Sequence, residues 1–323
     1  MKKVVCILLA VTILLAFDVA NENENAIIVY SSSEQFRNSK IQELLNEHFP
    51  DKEIYVTYMS TGKAASRIRA EGENTDADII IGMETAYLQE LEEDLEDVSD
   101  IKHQDYLDSI PEHDKYLIWE RQAGSIIVNH DVLDKYNLPV PKTYEDLLNP
   151  EYKGLIAMPD PKTSGTGYFF YKGLVNQWGE DKALDYFDHL SENIKQFTES
   201  GSGPVQLLLQ EEVAVGLGLT FQGVEKLNEG YNFELLQPEF GAPYNLTGCG
   251  IIKGRKEKEG VKEVFEYIVN DVLVYDKEYF SPDTILKDQK NFVENYPQNI
   301  EYAEMDGIEN SKEKERLLDL WEY

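Results

Sequence analysis

Residues Leu155–Trp178 (LIAMPDPKTSGTGYFFYKGLVNQW) carry the pattern that most restricts how this chain folds. Leu155–Met158 is a short apolar run stopped by Pro159 and Pro161, which reads as a buried strand. Ser164-Gly165-Thr166-Gly167 follows, and Tyr168, Phe169, Leu174, Val175 and Trp178 then recur at helical spacing. The segment is a strand, a loop of small residues and a helix N-terminus. The first N–H groups of such a helix lack partners within it and lie at the positive end of its dipole. Gly165 and Gly167 admit close approach to the backbone, and Ser164 and Thr166 add hydroxyl donors, so the loop suits a phosphate, phosphonate or carboxylate. A Ser or Thr that caps only its own helix has the same local sequence, and this loop alone does not separate the two.

Repetition argues beyond capping. Ala26–Tyr30 is an apolar strand running into Ser31-Ser32-Ser33, before a helix with Ile41, Leu44, Leu45 and Phe49 on one face. Ile54–Met59 alternates as a strand and leads into Ser60-Thr61-Gly62 and a helix over Lys63–Glu71. Asp78–Gly82 leads into Met83-Glu84-Thr85 and a helix over Ala86–Leu91. Past Leu155–Trp178 comes a helix over Asp181–Leu190, then a strand over Lys195–Thr198. Ser200-Gly201-Ser202-Gly203 follows, with Pro204 opening the helix Val205–Leu209. Val213–Leu219 is a strand ending in Thr220-Phe221-Gln222. Alternating strands and helices predict an α/β fold with mixed, mostly parallel sheets, and ligands in such sheets sit beyond the strand C-termini, where these loops fall.

With 323 residues the chain has room for about two domains. The texture changes around Gly124–Asn129 and again around Asn245–Gly250, which predicts two crossings between them. Thr143 caps a short helix to Leu148, Val261–Val269 is helical, and the tail ends in a helix whose Leu317, Leu318 and Trp321 are expected to pack on the first domain. Lys2 and Lys3 precede an apolar run from Val4 to Phe17, the pattern of a signal peptide or uncleaved anchor, so export is expected. No Cys follows that run to accept a lipid.

The formal net charge of −31, from 30 Lys and Arg against 61 Asp and Glu, argues against nucleic acid and anionic membranes as partners. An anion site here must therefore rest on short-range dipoles. The five His show no ligand-like spacing, and outside the leader Cys249 is alone, in the setting of a small core residue. Glu90–Asp100 carries seven carboxylates but lacks the residue order of a calcium loop, and reads as a solvated face. No catalytic residue, metal ligand or cofactor is expected.

A family resemblance rests on Val29-Tyr30-Ser31-Ser32, on Ala70-Glu71 with Ala77-Asp78-Ile79, and on Thr143-Tyr144-Glu145-Asp146-Leu147 after Pro141. Asn149-Pro150-x-Tyr152-Lys153-Gly154, Asp160-Pro161-x-x-Ser164-Gly165-Thr166 and Ser200-Gly201-Ser202-Gly203 extend it. In these the chain resembles substrate-binding proteins of ABC importers, type II two-lobed class, within the group that binds ferric iron or phosphonates and phosphate esters. The resemblance implies two α/β lobes closing on a solute, a membrane permease as partner, and a monomer. Residues 1–20 would be the leader, 21–125 with 248–323 a discontinuous first lobe, and 126–247 the second.

Iron-binding members of that group use two adjacent tyrosines; this chain has 20 Tyr and no Tyr-Tyr pair. Iron is the second reading. A polyamine, third, would suit Glu34, Glu84 and Glu199, yet the loops themselves are donors. Ser60-Thr61-Gly62-Lys63 matches the Ser-x-x-Lys of penicillin-interacting enzymes, but Lys162-Thr163-Ser164-Gly165 and Ser191-Glu192-Asn193 fall in the wrong order. The expected ligand is a small phosphate- or phosphonate-bearing anion. Its candidate contacts are Ser31, Ser32, Ser33, Ser60, Thr61, Gly62, Glu84, Thr85, Ser164, Gly165, Thr166, Ser200, Gly201, Ser202, Gly203, Thr220, Gln222 and Tyr244, with Lys63 and Arg67 as countercharges.

Overall fold

The computed structural model describes residues 25–323, so the segment read as a leader lies outside the described residues. Among those described, no helix is long and apolar enough to cross a membrane. The strands are β1 (Ile27–Ser31), β2 (Ile54–Tyr58), β3 (Ile79–Glu84), β4 (Leu117–Asn129), β5 (Ile156–Pro159), β6 (Ile194–Thr198), β7 (Val215–Leu219), β8 (Phe233–Leu236) and β9 (Tyr244–Ile251). They join in the order β2-β1-β3-β9-β4-β7-β5-β6, with β8 on β4. The outer strands of each half pair in parallel, whereas β4 and β9 run antiparallel to their neighbours. β3 and β7 are buried along their whole length, as the apolar runs require of strands covered on both faces.

β4 is a single strand of 13 residues where the sequence shows two apolar patches about Gly124. Its first half pairs with β9 as far as Ala123, and from Gly124 onward it pairs with β7. A Cβ at Gly124 would lie 2.6 Å from the rings of both Phe169 and Phe170, so only glycine lets the helix Gly165–Trp178 pack on the strand there. β9 carries the chain back, bonded to β4 and to β3. Two large apolar cores result, with a smaller third of Ile127, Ala157, Val205, Leu208, Val213 and Phe233. Of the large cores, one gathers Val29, Ile81, Trp119 and Phe265, the other Ile126, Met158, Phe169 and Phe187. Cys249 is fully buried on β9, where burial pushes its thiol far up, as befits a core residue.

Four local expectations change. β3 continues through Gly82 to Glu84, which makes Glu84 a strand end rather than a loop residue. Thr143 caps a single 3₁₀ turn, trading backbone N–H bonds with Asp146. The helix begun at Val261 runs on through a π turn, Ile268–Val272, to Tyr279. The tail helix, Ser311–Asp319, lies beside the helix Thr85–Glu90 of the first lobe but turns its apolar face into the second core. Trp321 lies 5.2, 5.0 and 5.5 Å from the ring centres of Tyr171, Phe187 and Phe197. Periodicity shows that Leu317 and Trp321 face apolar surroundings but not whose. The tail leaves the first core at Leu286 and enters the second at Tyr296.

A buried charge cluster ties the first lobe to β4. The Arg37 side chain is wholly buried, its Nε donating to Asp276 (2.8 Å) and its Nη1 to Glu34 (3.0 Å). Nη2 reaches Glu120 on β4, which Lys277 also bonds at 3.1 Å. Burial pushes the Glu120 carboxyl up, but Arg37 and Lys277 outweigh it and hold the group down at about 2. In Glu34 burial wins over Arg37 and the carboxyl is raised.

Two outcomes follow from this packing. Trp321→Ala should cost about 3–5 kcal/mol in denaturant unfolding, against roughly 0.5 for Leu320→Ala at the more exposed neighbouring position. Equal, small losses would contradict the packing of the tail on the second core. Glu120, with its folded value depressed, stabilises above its unfolded value near 4.5, and that contribution is lost as pH falls toward about 2. The loss is on the order of 3 kcal/mol. Stability measured from pH 5 down should therefore slope less steeply in Glu120→Gln; an unchanged slope would show that Glu120 is not charged in the fold.

Candidate functional site

The helices after β2 and β5, Thr61–Glu71 and Gly165–Trp178, come from opposite lobes and point their N-termini into one cleft of about 710 Å³. Ser60, Thr61, Gly62, Glu84, Ser164 and Gly165 all line it. Ser60 and Ser164 occupy the two N-cap positions with extended backbone, yet neither side chain makes a capping hydrogen bond. The capping alternative left open by the sequence is therefore not what these hydroxyls do in this conformation. Thr61 is committed: its Oγ1 accepts from the Glu84 N–H at 3.1 Å.

Cations surround these termini. Lys63, Arg69, Lys162 and Lys314 line the cleft together with Glu84, Glu90 and Glu315. Lys63 is exposed and makes no hydrogen bond or ion pair among the described residues. Arg69 pairs with Glu90, and Lys162 donates to the Trp321 carbonyl at 2.6 Å. Lys314, from the tail helix, donates to Glu84 at 2.8 Å and lies 4.8 and 5.1 Å from the ring centres of Tyr87 and Tyr168. Burial lowers the Lys314 ammonium, but Glu84 outweighs burial and the net shift is upward, so it stays charged. The Glu84 carboxylate itself sits over Gly165, where any Cβ would overlap it. A negative group therefore already stands at the positive end of this helix dipole.

The other candidates fall elsewhere. Ser31 accepts from the Ser33 N–H, Ser32 donates to the Met59 carbonyl, and the buried Ser33 hydroxyl has no partner. Gln222 donates across the lobes to Glu34 at 3.2 Å, beside the Arg37 cluster. Thr220 bonds Ser125 where β4 crosses between the lobes, and Thr85 donates to the Leu246 carbonyl. Thr166 is buried against Gly201, Ser200 and Ser202 bond each other, and Gly203 is tucked on Thr198. Tyr244 stacks under Arg121 on the crossing strands. Arg67 pairs with Glu71 and Asp76 outside the cleft. Lys314 and Tyr87 carry no sequence signal, because only tertiary packing brings the tail helix and the helix after β3 to one cleft. Among the described residues no group of three or more His, Cys, Asp or Glu is placed to hold a metal ion.

Known proteins share this architecture. A protein of Haemophilus influenzae, itself described only as uncharacterized, is 33% identical over 136 residues, which is 42% of this chain and 39% of that one. The chain thus aligns with well under half of that relative's length. The periplasmic binding protein AfuA from Actinobacillus pleuropneumoniae, solved with exogenous fructose-6-phosphate bound, superposes with a TM-score of 0.77 at 23% identity, covering 92% of this chain and 97% of that one. The apo ferric ion-binding protein A of Pasteurella haemolytica gives 0.74 at 16% identity, over 92% and 96%. These likenesses show a type II periplasmic binding protein fold. The model of the bacterial extracellular solute-binding protein family matches residues 74–301, most of the chain, so the protein belongs to that family.

Proposed function

We propose that this protein captures a small phosphate- or phosphonate-bearing anion between its lobes and hands it to the membrane permease of an ABC importer. One observation carries the reading: helix N-termini from both lobes meet in a single cleft where, among the described residues, their cap-position serine hydroxyls are uncommitted and Lys63 beside them is unpaired. Orphan N–H groups, hydroxyls and an ammonium are the donors that an oxyanion needs. At a net charge of −31 the chain repels anions at long range, but at physiological salt this field fades over about 8 Å, and the cleft donors then dominate. AfuA, the neighbour holding a sugar phosphate, is consistent with this class of ligand.

Ferric iron is the less favoured alternative. A trivalent cation entering here meets Glu84, Glu90 and Glu315 but also Lys63, Lys162 and Lys314, and Lys314 lies against the ring of Tyr87, the tyrosine that lines the cleft and would have to ionise to bind it. Among the described residues, the lobes we assign are 25–125 with 248 to about 286, and 126–247 with the tail from Tyr296 onward.

Calorimetry with fructose-6-phosphate and inorganic phosphate as probes tests the site. Ser60→Ala and Ser164→Ala should each weaken binding by roughly 1.5–3 kcal/mol, about ten- to a hundredfold, with the melting temperature almost unmoved. If the serines are ordinary caps, the outcome reverses: stability falls by about 1 kcal/mol and affinity stays put. Small-angle scattering should also show a smaller radius of gyration once the probe is bound.

A further inference from the structure

Three segments connect the lobes: β4, β9 and the tail between Leu286 and Tyr296. Arg121 stands where they meet. It lies on β4, only 5% exposed, with its guanidinium 4.0 Å from the ring centre of Tyr302 in the tail and 4.9 Å from that of Tyr244 on β9. Stacking satisfies its faces, and the Tyr302 hydroxyl stands within hydrogen-bonding reach of one edge, while its Nε is left over. Arg121 forms no ion pair among the described residues, and its buried Nε lacks any hydrogen-bond partner. A guanidinium does not shed its proton, and at this depth Asp283 and the Tyr302 hydroxyl compensate only part of its charge, so a further anionic partner would stabilise it.

Asp283, close by, is otherwise engaged. It accepts from the Ala123 N–H at 3.2 Å and from the Tyr302 hydroxyl at 3.0 Å. Burial raises its carboxyl, with Tyr296, Tyr302, Ala123 and Arg121 opposing. The guanidinium opens on a cavity of about 360 Å³ whose walls include Leu107, Pro282, Pro297 and Ile300, and which shares no residue with the cleft. Its volume is that of an ordinary small-molecule pocket.

We propose that this cavity is a second ligand site, which takes a small monocarboxylate carried on a flat apolar body. The carboxylate pairs with the nitrogen edge of Arg121, whose fork matches two oxygens, and the body lies on the prolines and the Tyr302 ring. A dianion is disfavoured because Asp283 and Glu301 both line the cavity, and a single carboxylate must seat itself on the guanidinium away from them. A ligand here touches β4 and the tail together, and through Tyr244 the Arg121 stack extends to β9, so it bears on all three connections that bend when the lobes move.

Benzoate is the probe, with the full mature chain at low ionic strength, followed by calorimetry and by the arginine Nε resonances in nitrogen-15 spectra. Saturable binding is expected, moving the one Nε resonance that Arg121→Gln removes. Arg121→Gln should bind at least tenfold more weakly. So should Thr284→Trp, which fills the cavity from an exposed position without touching the guanidinium and decides the matter if Arg121→Gln fails to fold. Ser164→Ala should leave benzoate binding unchanged. No saturable binding by the parent chain, equal affinity in Thr284→Trp, or loss of binding in Ser164→Ala would overturn the proposal.

Discussion

The structure depends on the change of partner in β4 at Gly124. One strand begins in the sheet of the first lobe and ends in that of the second, so both lobes share a backbone ladder and no flexible linker separates them there. The missing Cβ of Gly124 admits Phe169 and Phe170, and these rings seat the helix Gly165–Trp178 against the crossing. Through that contact the N-terminus of the second lobe's helix is held at the hinge while the Thr61–Glu71 helix approaches from the first lobe. The site is a product of the crossing.

Charge is arranged on two scales. Over the whole surface acidic groups outnumber basic ones two to one, whereas the cleft brings four cations and two helix N-termini together. Glu84 connects these scales. Its carboxylate sits on the Gly165 terminus and is held by Lys314 from the tail, so it bonds across the lobes at the place an arriving anion would claim. Lys314 belongs to a helix packed on the second core, which makes this ion pair a contact between lobes as well as a wall of the cleft.

Much of this was legible in the chain itself. Six strands with their small polar loops and most of the helices declared themselves through local period and punctuation, and Gly124 marked the crossing by interrupting an apolar run, whereas β8 and the helix His130–Tyr136 gave no such signal. Hydroxyls in two of the loops pair within the fold itself: Ser200 and Ser202 bond each other, and Thr220 bonds Ser125. Hydroxyls advertise hydrogen bonding but not its partner. The tail was misplaced for a related reason, since the apolar face of Leu317 and Trp321 fits any core and only the aromatic cluster of Tyr171, Phe187 and Phe197 selects the second one. Lys314 was invisible for the same cause, because its role is conferred by where that helix docks.

The central claim is the nature of the captured solute. Native mass spectrometry of protein purified gently from its own cells, followed by phosphorus-31 spectra of whatever denaturation releases, tests it most directly. One small phosphorus-bearing adduct per chain is expected. An adduct of ferric ion, or of a solute without phosphorus, would contradict it.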